Sequence, residues 1–518
     1  MKRYVSIGCL FLVVEIAWAS PRTAEEVMTN VRRECGVSNA KIPAAGIMLT
    51  GKGSLVGLAN EYTLVFNGQG HFAQNSSGRI STGEGFDGTD AWRQDIGGER
   101  VLIELGDRNQ AMFDGLVYTG LWMDEGAGFK FSTKVDLAAD AETTSHMSVL
   151  AFEHGATGFS GSVTIDSDTW MVKEWAYRGE SAGINIKCSG VIEWNGMKFP
   201  ATVSRTTQHG SDDVVQIQKV SEAPNFLVSP YAANVSGPAD VKFDSSIAAE
   251  LDVKRAPTGH LLVHPLINGK DLGWFIFDTG AGSNVLNTRI VKELNLETFG
   301  SLPAVGVGGT VMTSWSRPET ISLGRVTLKD PLVVGLELDF LEPHMGVPIA
   351  GIIGYGLFHR CVAEVDMRDG KISLFDPANY DETLVHGHWS KLHLDSRIAC
   401  IEASFEGHTG IFKLDTGAGD STVSMHAPAV TKFKLLEGRE TTDVMEGGVG
   451  GAVAAKQGTL AWFEIAGQRQ ENVQVTFATE DKGAFSSRET LGNIGGKLIS
   501  PFKVVFDYQR RRIGFVKR

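Results

Sequence analysis

Apolar and polar positions alternate along the chain in two different ways. Residues 23–34 (TAEEVMTNVRRE) carry apolar side chains at helical spacing. Thr23 stands where an N-cap belongs, with Glu26 three residues on, and the pattern predicts one amphipathic helix. From about Gly46 to Pro224 short apolar runs recur, among them Tyr62–Phe66, Val101–Leu105, Trp170–Trp175, Val191–Trp194 and Val214–Ile217. Gly, Asn and Asp punctuate them, which predicts an antiparallel sheet. Gly83–Gly88 (GEGFDG) matches GxGxxG but has no strand-to-helix frame, so it reads as a turn between strands and not as a dinucleotide site.

The first 19 residues have another character. Lys2 and Arg3 precede an apolar run, Val5 to Ala17, broken only by Glu15, and Ala17-Trp18-Ala19 puts small residues at the two positions a signal peptidase reads. We expect residues 1–19 to be a signal peptide and the protein to be secreted or periplasmic; a retained N-terminal anchor is the alternative. No second apolar stretch approaches the roughly 18 residues a bilayer span needs. A length of 518 residues makes three or four domains the prior. With 48 Lys+Arg against 61 Asp+Glu, the net charge of −13 speaks against a nucleic-acid partner, because phosphate binding needs a basic surface. After the leader the cysteines are Cys35, Cys188, Cys361 and Cys400, with no CxxC and no metal-ligand spacing. A Cys35–Cys188 bond and four buried free thiols both remain open.

The second half repeats itself. WFIFDTGAGSNVLN (274–287) is matched by IFKLDTGAGDSTVS (411–424). Gly306-Val307-Gly308-Gly309 is matched by Gly448-Val449-Gly450-Gly451. Residues 352–375 align without a gap on 493–516, so that Gly354 meets Gly495, Leu357 meets Leu498, Asp366 meets Asp507 and Ile372 meets Ile513. One Asp-Thr-Gly tripeptide means little. Two copies with the same ordered companions are not accidental.

On these residues, roughly 258–518, the chain resembles the retropepsin-like aspartyl proteases. DTGA and a GxGG segment are retropepsin-like; two copies in one chain are closer to pepsin. Asn493 stands where the family has an aliphatic residue, and the flap spacing differs, 28 residues from Asp278 to Gly306 against 33 from Asp415 to Gly448. The N-terminal half, with FDGTDAWRQD (86–95) and WMVKEW (170–175), resembles the lipoprotein-carrier (LolA-like) superfamily, which implies a concave apolar face that could hold a lipid or a peptide. The expected fold is mainly β: an N-terminal helix and curved antiparallel sheet, then two retropepsin-like β-barrel lobes forming a pseudo-twofold bilobal unit. The expected boundaries are 20–240 for the β-rich N-terminal domain, 241–380 for lobe 1 and 381–518 for lobe 2.

Chemistry gives each element a reason. Metal-free peptide hydrolysis needs a base for water and an acid for the scissile group, and two carboxylates about 3 Å apart share one proton and supply both. Asp278 and Asp415 are the expected catalytic pair, one per lobe. Gly280 and Gly417 permit a tight turn and close approach. The resemblance implies that Thr279 and Thr416 hydrogen-bond across the two loops, and Ala281 and Ala418 are small enough to pack beside the carboxylates. Gly306–Gly309 and Gly448–Gly451 suit mobile hairpins that close over an extended peptide, which would bind as a strand. The expected function is an aspartic endopeptidase acting on extended peptide or unfolded protein, monomeric, with no cofactor. The alternative is a non-catalytic peptide- or lipid-binding envelope protein. No metal is expected: His386, His388 and His393 lie in the expected connector between the lobes and lack an adjacent carboxylate pattern in the sequence. Asp366 and Asp507 read as turn or surface carboxylates, and Arg510-Arg511-Arg512 as a solvated turn.

Overall fold

The fold is that of a computed structural model, which describes residues 22–37, 41–95, 97–137, 146–179, 182–208, 210, 212–385 and 388–517. The expected signal peptide lies outside these residues, as does His386. Among the described residues no helix is long and apolar enough to cross a membrane.

The first helix spans Ala24–Cys35. Thr23 and Glu26 form a reciprocal capping box, Gly36 ends the helix in the left-handed conformation, and Val27, Met28, Val31 and Cys35 face inward. A second helix, Leu105–Thr119, packs on the same side of a 13-stranded antiparallel sheet that runs from Arg100–Ile103 at one edge to Phe129–Leu137 at the other. Alternate strand residues such as Leu150, Phe152, Val163, Ile165 and Trp175 are buried against these helices, with Phe113 at the centre of the aromatic packing. The apolar face of the sheet is therefore filled by the chain's own helices. A large open cleft of about 1050 Å3 lies on the opposite face, lined by polar side chains including Lys130, Ser132, Lys134, Glu153 and Asn185. GEGFDG forms the end of the strand Thr82–Phe86 and the start of the turn to Ala91–Gln94. The four described cysteines are free thiols.

The repeated half folds twice the same way. In the first repeat an eight-stranded sheet runs Val253–Arg255, Leu261–Val263, Trp274–Phe277, Ile349–Ile353, Asn284–Asn287, Val333–Leu336, Gly309–Ser316, Thr298–Gly306. In the second it runs His393–Asp395, Ile398–Phe405, His408–Asp415, Gly492–Gly495, Val423–Met425, Gln468–Ala478, Gly451–Ile465, Thr442–Gly448. The order is identical, and in each the strand before the Asp-Thr-Gly loop pairs in parallel with the apolar-Gly strand. A five-stranded sheet joins the repeats: Val362–Asp366 runs antiparallel to Phe502–Asp507, with Val362 opposite Asp507 and Asp366 opposite Lys503. One buried cluster runs through both repeats, from Phe275 and Phe277 to Phe412 and Leu414.

The sequence reading of Asp507 and of the arginines after it needs correction. Asp507 is fully buried and pairs with Arg510 at 3.1 Å and Arg512 at 2.9 Å. Arg511 donates to the Leu102 carbonyl of the N-terminal unit. The run is basic because it neutralises a buried carboxylate and reaches a neighbouring unit. Other contacts fasten the same boundary. Arg360 grips Asp240 through two nitrogens at 2.7 and 2.8 Å, Arg397 lies 3.1 Å from Asp95, and Glu104 meets Lys391 at 2.8 Å and His393 at 3.0 Å. The hairpin turn at Val56 accepts a hydrogen bond from Ser301 N, in the strand Thr298–Gly306 of the first repeat.

Candidate active site

Asp278 follows the strand Trp274–Phe277, and Asp415 ends the strand His408–Asp415. Each heads a tight turn: Ala281 N donates to the Asp278 carbonyl and Ala418 N to that of Asp415. Gly354 and Gly495 lie beneath these turns. A methyl group at Gly354 would sit 2.5 Å from the Ala281 carbonyl oxygen, and one at Gly495 would sit 2.7 Å from that of Ala418. The conformation is thus fixed from below by backbone contact.

The two loops meet. A methyl added at Gly417 would lie 2.3 Å from the Asp278 carboxyl carbon, and one at Gly280 would lie 2.7 Å from that of Asp415. No residue larger than glycine fits at either place. Thr279 and Thr416 tie the loops reciprocally. Thr279 N donates to Thr416 Oγ1 at 3.0 Å and Thr416 N to Thr279 Oγ1 at 3.1 Å. Thr279 Oγ1 donates to the Leu414 carbonyl at 2.7 Å, and Thr416 Oγ1 to that of Phe277 at 2.8 Å. Both threonines are 1% exposed, so these four bonds are shielded from water.

Electrostatics follow from this closeness. Burial pushes the Asp278 carboxyl above the usual carboxylate range, while the Gly280 N–H, at 2.7 Å, and the charge of His260 oppose the rise. Burial pushes Asp415 well up, and the adjacent Asp278 charge and the hydrogen bond between the two carboxyls push it further. Each acid so placed opposes the other's ionisation, an opposition that a proton shared between the two would relieve.

The two GxGG segments form hairpin ends, with Gly306 opposite Gly309 and Gly448 opposite Gly451. Their tips touch: Gly308 N donates to the Val449 carbonyl at 3.0 Å. Val307 packs against Phe485, Val453 and their neighbours in the second repeat, and Val449 packs against the apolar cluster around Ile276 and Ile352 in the first. The tips therefore cross, each resting on the other repeat.

The sequence did not single out His260. His260 bonds through Nε2 to the Gly417 carbonyl at 2.7 Å; its place in a turn between short strands gave no signal. Asn493 has a structural reason in His426, whose Nε2 lies 2.9 Å from the Asn493 amide while Nδ1 donates to the Thr490 carbonyl. Among the described residues one trio of metal-binding types lies together, Asp95, Glu99 and His359. Arg397 and Arg360 already serve it as cations, at 3.1 Å from Asp95 and 3.6 Å from Glu99.

Comparison with solved structures finds two kinds of similarity. A LolA superfamily protein from Nitrosomonas europaea is 9% identical over 40% of this chain and 95% of its own, with a TM-score of 0.29. An aspartic proteinase from Irpex lacteus is 13% identical over 52% of this chain and 97% of its own, with a TM-score of 0.33. No curated protein sequence matches the chain. Residues 263–357, the stretch of the first repeat that holds Asp278 and Gly306–Gly309, match the family described as aspartyl protease.

Proposed function

We propose that this protein is an aspartic endopeptidase whose two catalytic carboxyls, Asp278 and Asp415, come from the two repeats of one chain. The observation that carries the reading is the mutual enclosure of the pair, each carboxyl lying against the other loop's glycine with Thr279 and Thr416 locked beneath. Local strand-and-turn structure does not require two acids to be buried face to face, where they cost stability. A shared proton gives that cost a use. The ionised member takes a proton from water as the water attacks the scissile carbonyl, and the protonated member gives its proton to the carbonyl oxygen; as the tetrahedral intermediate collapses, the first member passes the proton it took from water to the leaving nitrogen and the second recovers a proton from the hydroxyl.

Substrate enters as an extended strand between the crossed flap tips and the dyad, held by main-chain groups of Gly306–Gly309 and Gly448–Gly451. The tips must part to admit it, and their mutual contact then excludes water from the closed site. We further propose that the chain acts as a monomer after export, with residues 1–19 removed. The test is incubation of the purified chain with a denatured protein between about pH 3 and 8. New N-termini should appear, and a chelator should not prevent them. An unchanged substrate at every pH would overturn the reading.

A further inference from the structure

The turn 256–260 joins the first two strands of the first repeat's sheet and lies against the Asp415 loop of the second. The fit is backbone to backbone. A methyl at Gly419 would lie 2.5 Å from both His260 N and the Thr258 carbonyl oxygen, and Asp420 N donates to that carbonyl at 3.1 Å. From this turn His260 reaches back to the Gly417 carbonyl. The matching turn of the second repeat, Ser396–Arg397, lies against Gly282. Its Arg397 is committed elsewhere, to Asp95 of the N-terminal unit. The twofold relation is broken here, and only one of the two aspartate loops is held by an ionisable ring.

We propose that His260 is a positioning residue for the dyad, clamping the Asp415 loop through the Gly417 carbonyl and placing its imidazole beside the glycine that encloses Asp278. This rests on the aspartic-dyad reading of the site.

The hydrogen bonds allow the charge of the ring to change without loss. A carbonyl only accepts, so Nε2 carries a proton in both states. In the neutral ring Nδ1 accepts from Thr258 Oγ1, 2.8 Å away. In the imidazolium Nδ1 donates to the same oxygen, and the hydroxyl proton turns to Met345 Sδ at 3.3 Å. The charged groups around the ring and its turn are Asp278, Asp420, whose carboxylate lies against Gly259, and Arg255, which donates to the Gly259 carbonyl at 3.2 Å. A cation here favours the singly ionised pair and keeps it populated to lower pH than burial alone would permit.

His260→Gln separates charge from clamp, because the amide can still donate to Gly417 and accept from Thr258. Cleavage rates across pH, each normalised to its own plateau, should show the acid limb of His260→Gln moved up by on the order of one pH unit. Superimposed limbs would overturn the proposal. A second reading does not need activity. The titration midpoint of the His260 ring, followed by NMR, should fall in Asp278→Asn by a similar amount, since coupling is reciprocal. An unmoved midpoint overturns the proposal whether or not the chain cleaves peptides. A moved midpoint in a chain without peptidase activity would keep the coupling and sink the dyad reading instead.

Discussion

Thr279 and Thr416 each accept a hydrogen bond from the other's backbone N–H and each donate to a carbonyl of the strand opposite. The relation is symmetric although the residues lie 137 apart in the chain. It makes the geometry of one aspartate loop depend on the other. Thr416→Ala leaves Thr279 N and the Phe277 carbonyl buried without these partners, at a cost of about 1–3 kcal/mol each. We expect a clearly lower melting temperature and a loss of activity on the order of 10²-fold, since a small displacement of the dyad is enough. Thr416→Ser, which keeps the hydroxyl, should recover most of both.

Gly417→Ala gives a sharper test of the enclosed pair. Its methyl would fall on the Asp278 carboxyl, with no room to shift because both loops are fixed by backbone contact. Activity should vanish while circular dichroism shows the β content retained. An active Gly417→Ala would mean that the loops stand further apart than described.

How much of this was legible in the sequence depended on repetition. Asp278 and Asp415, their Thr-Gly-Ala companions and both GxGG segments stood out because each occurs twice in the same order, and a duplicated fold must place duplicated residues equivalently. The capping box of the first helix was readable because Thr23 and Glu26 act within one turn. His260 was not readable. It acts through a contact between residues 157 apart, and the matching turn of the other repeat carries Arg397, committed to Asp95, in place of a histidine. Asn493 looked like a departure because its partner, His426, belongs to another strand connection. Arg510–Arg512 looked solvated because charge runs usually are, and a sequence does not show that Asp507 between the repeats needs two cations. The apolar face in the N-terminal half was foreseen, but not that the helices of the same unit would fill it.

Arg360 is 2% exposed, and its guanidinium answers Asp240 and Glu99 at the boundary between the N-terminal unit and the first repeat. Arg360→Met keeps the bulk but leaves two carboxylates short of a cation. Breaking a buried pair from one side costs about 3–5 kcal/mol. Thermal unfolding should show the loss, and limited proteolysis should cut between the units sooner than in the wild type.

Stability should decline in acid from two identifiable groups. Burial lowers the fully buried His426 to about 4, below its ordinary value near 6.5. Between those values the unfolded chain takes up a proton that the folded one refuses, so stability falls as pH falls through that window. The His393 hydrogen bond, with Lys391, lowers Glu104 to about 2. Its contribution is complete above the unfolded carboxyl value near 4.5 and disappears as pH drops toward 2. Melting temperature against pH should therefore decline below about pH 6.5, and His426→Gln should flatten the upper part of that decline. A His426→Gln chain whose decline between pH 6.5 and about 4 matches the wild type would contradict the His426 assignment.

The central claim is that the two repeats hydrolyse peptide bonds through one shared proton, and Asp415→Asn tests it most directly. The rate of cleavage of a denatured protein should fall by at least about 10³-fold, since acid–base work on this scale belongs to the pair. The same variant should melt higher than the wild type above about pH 4, because the Asp415 carboxyl is pushed up in the folded state and ionising it there opposes folding. A variant that is folded, stabilised and inactive fits the account. An Asp415→Asn chain that cleaves as fast as the wild type contradicts it.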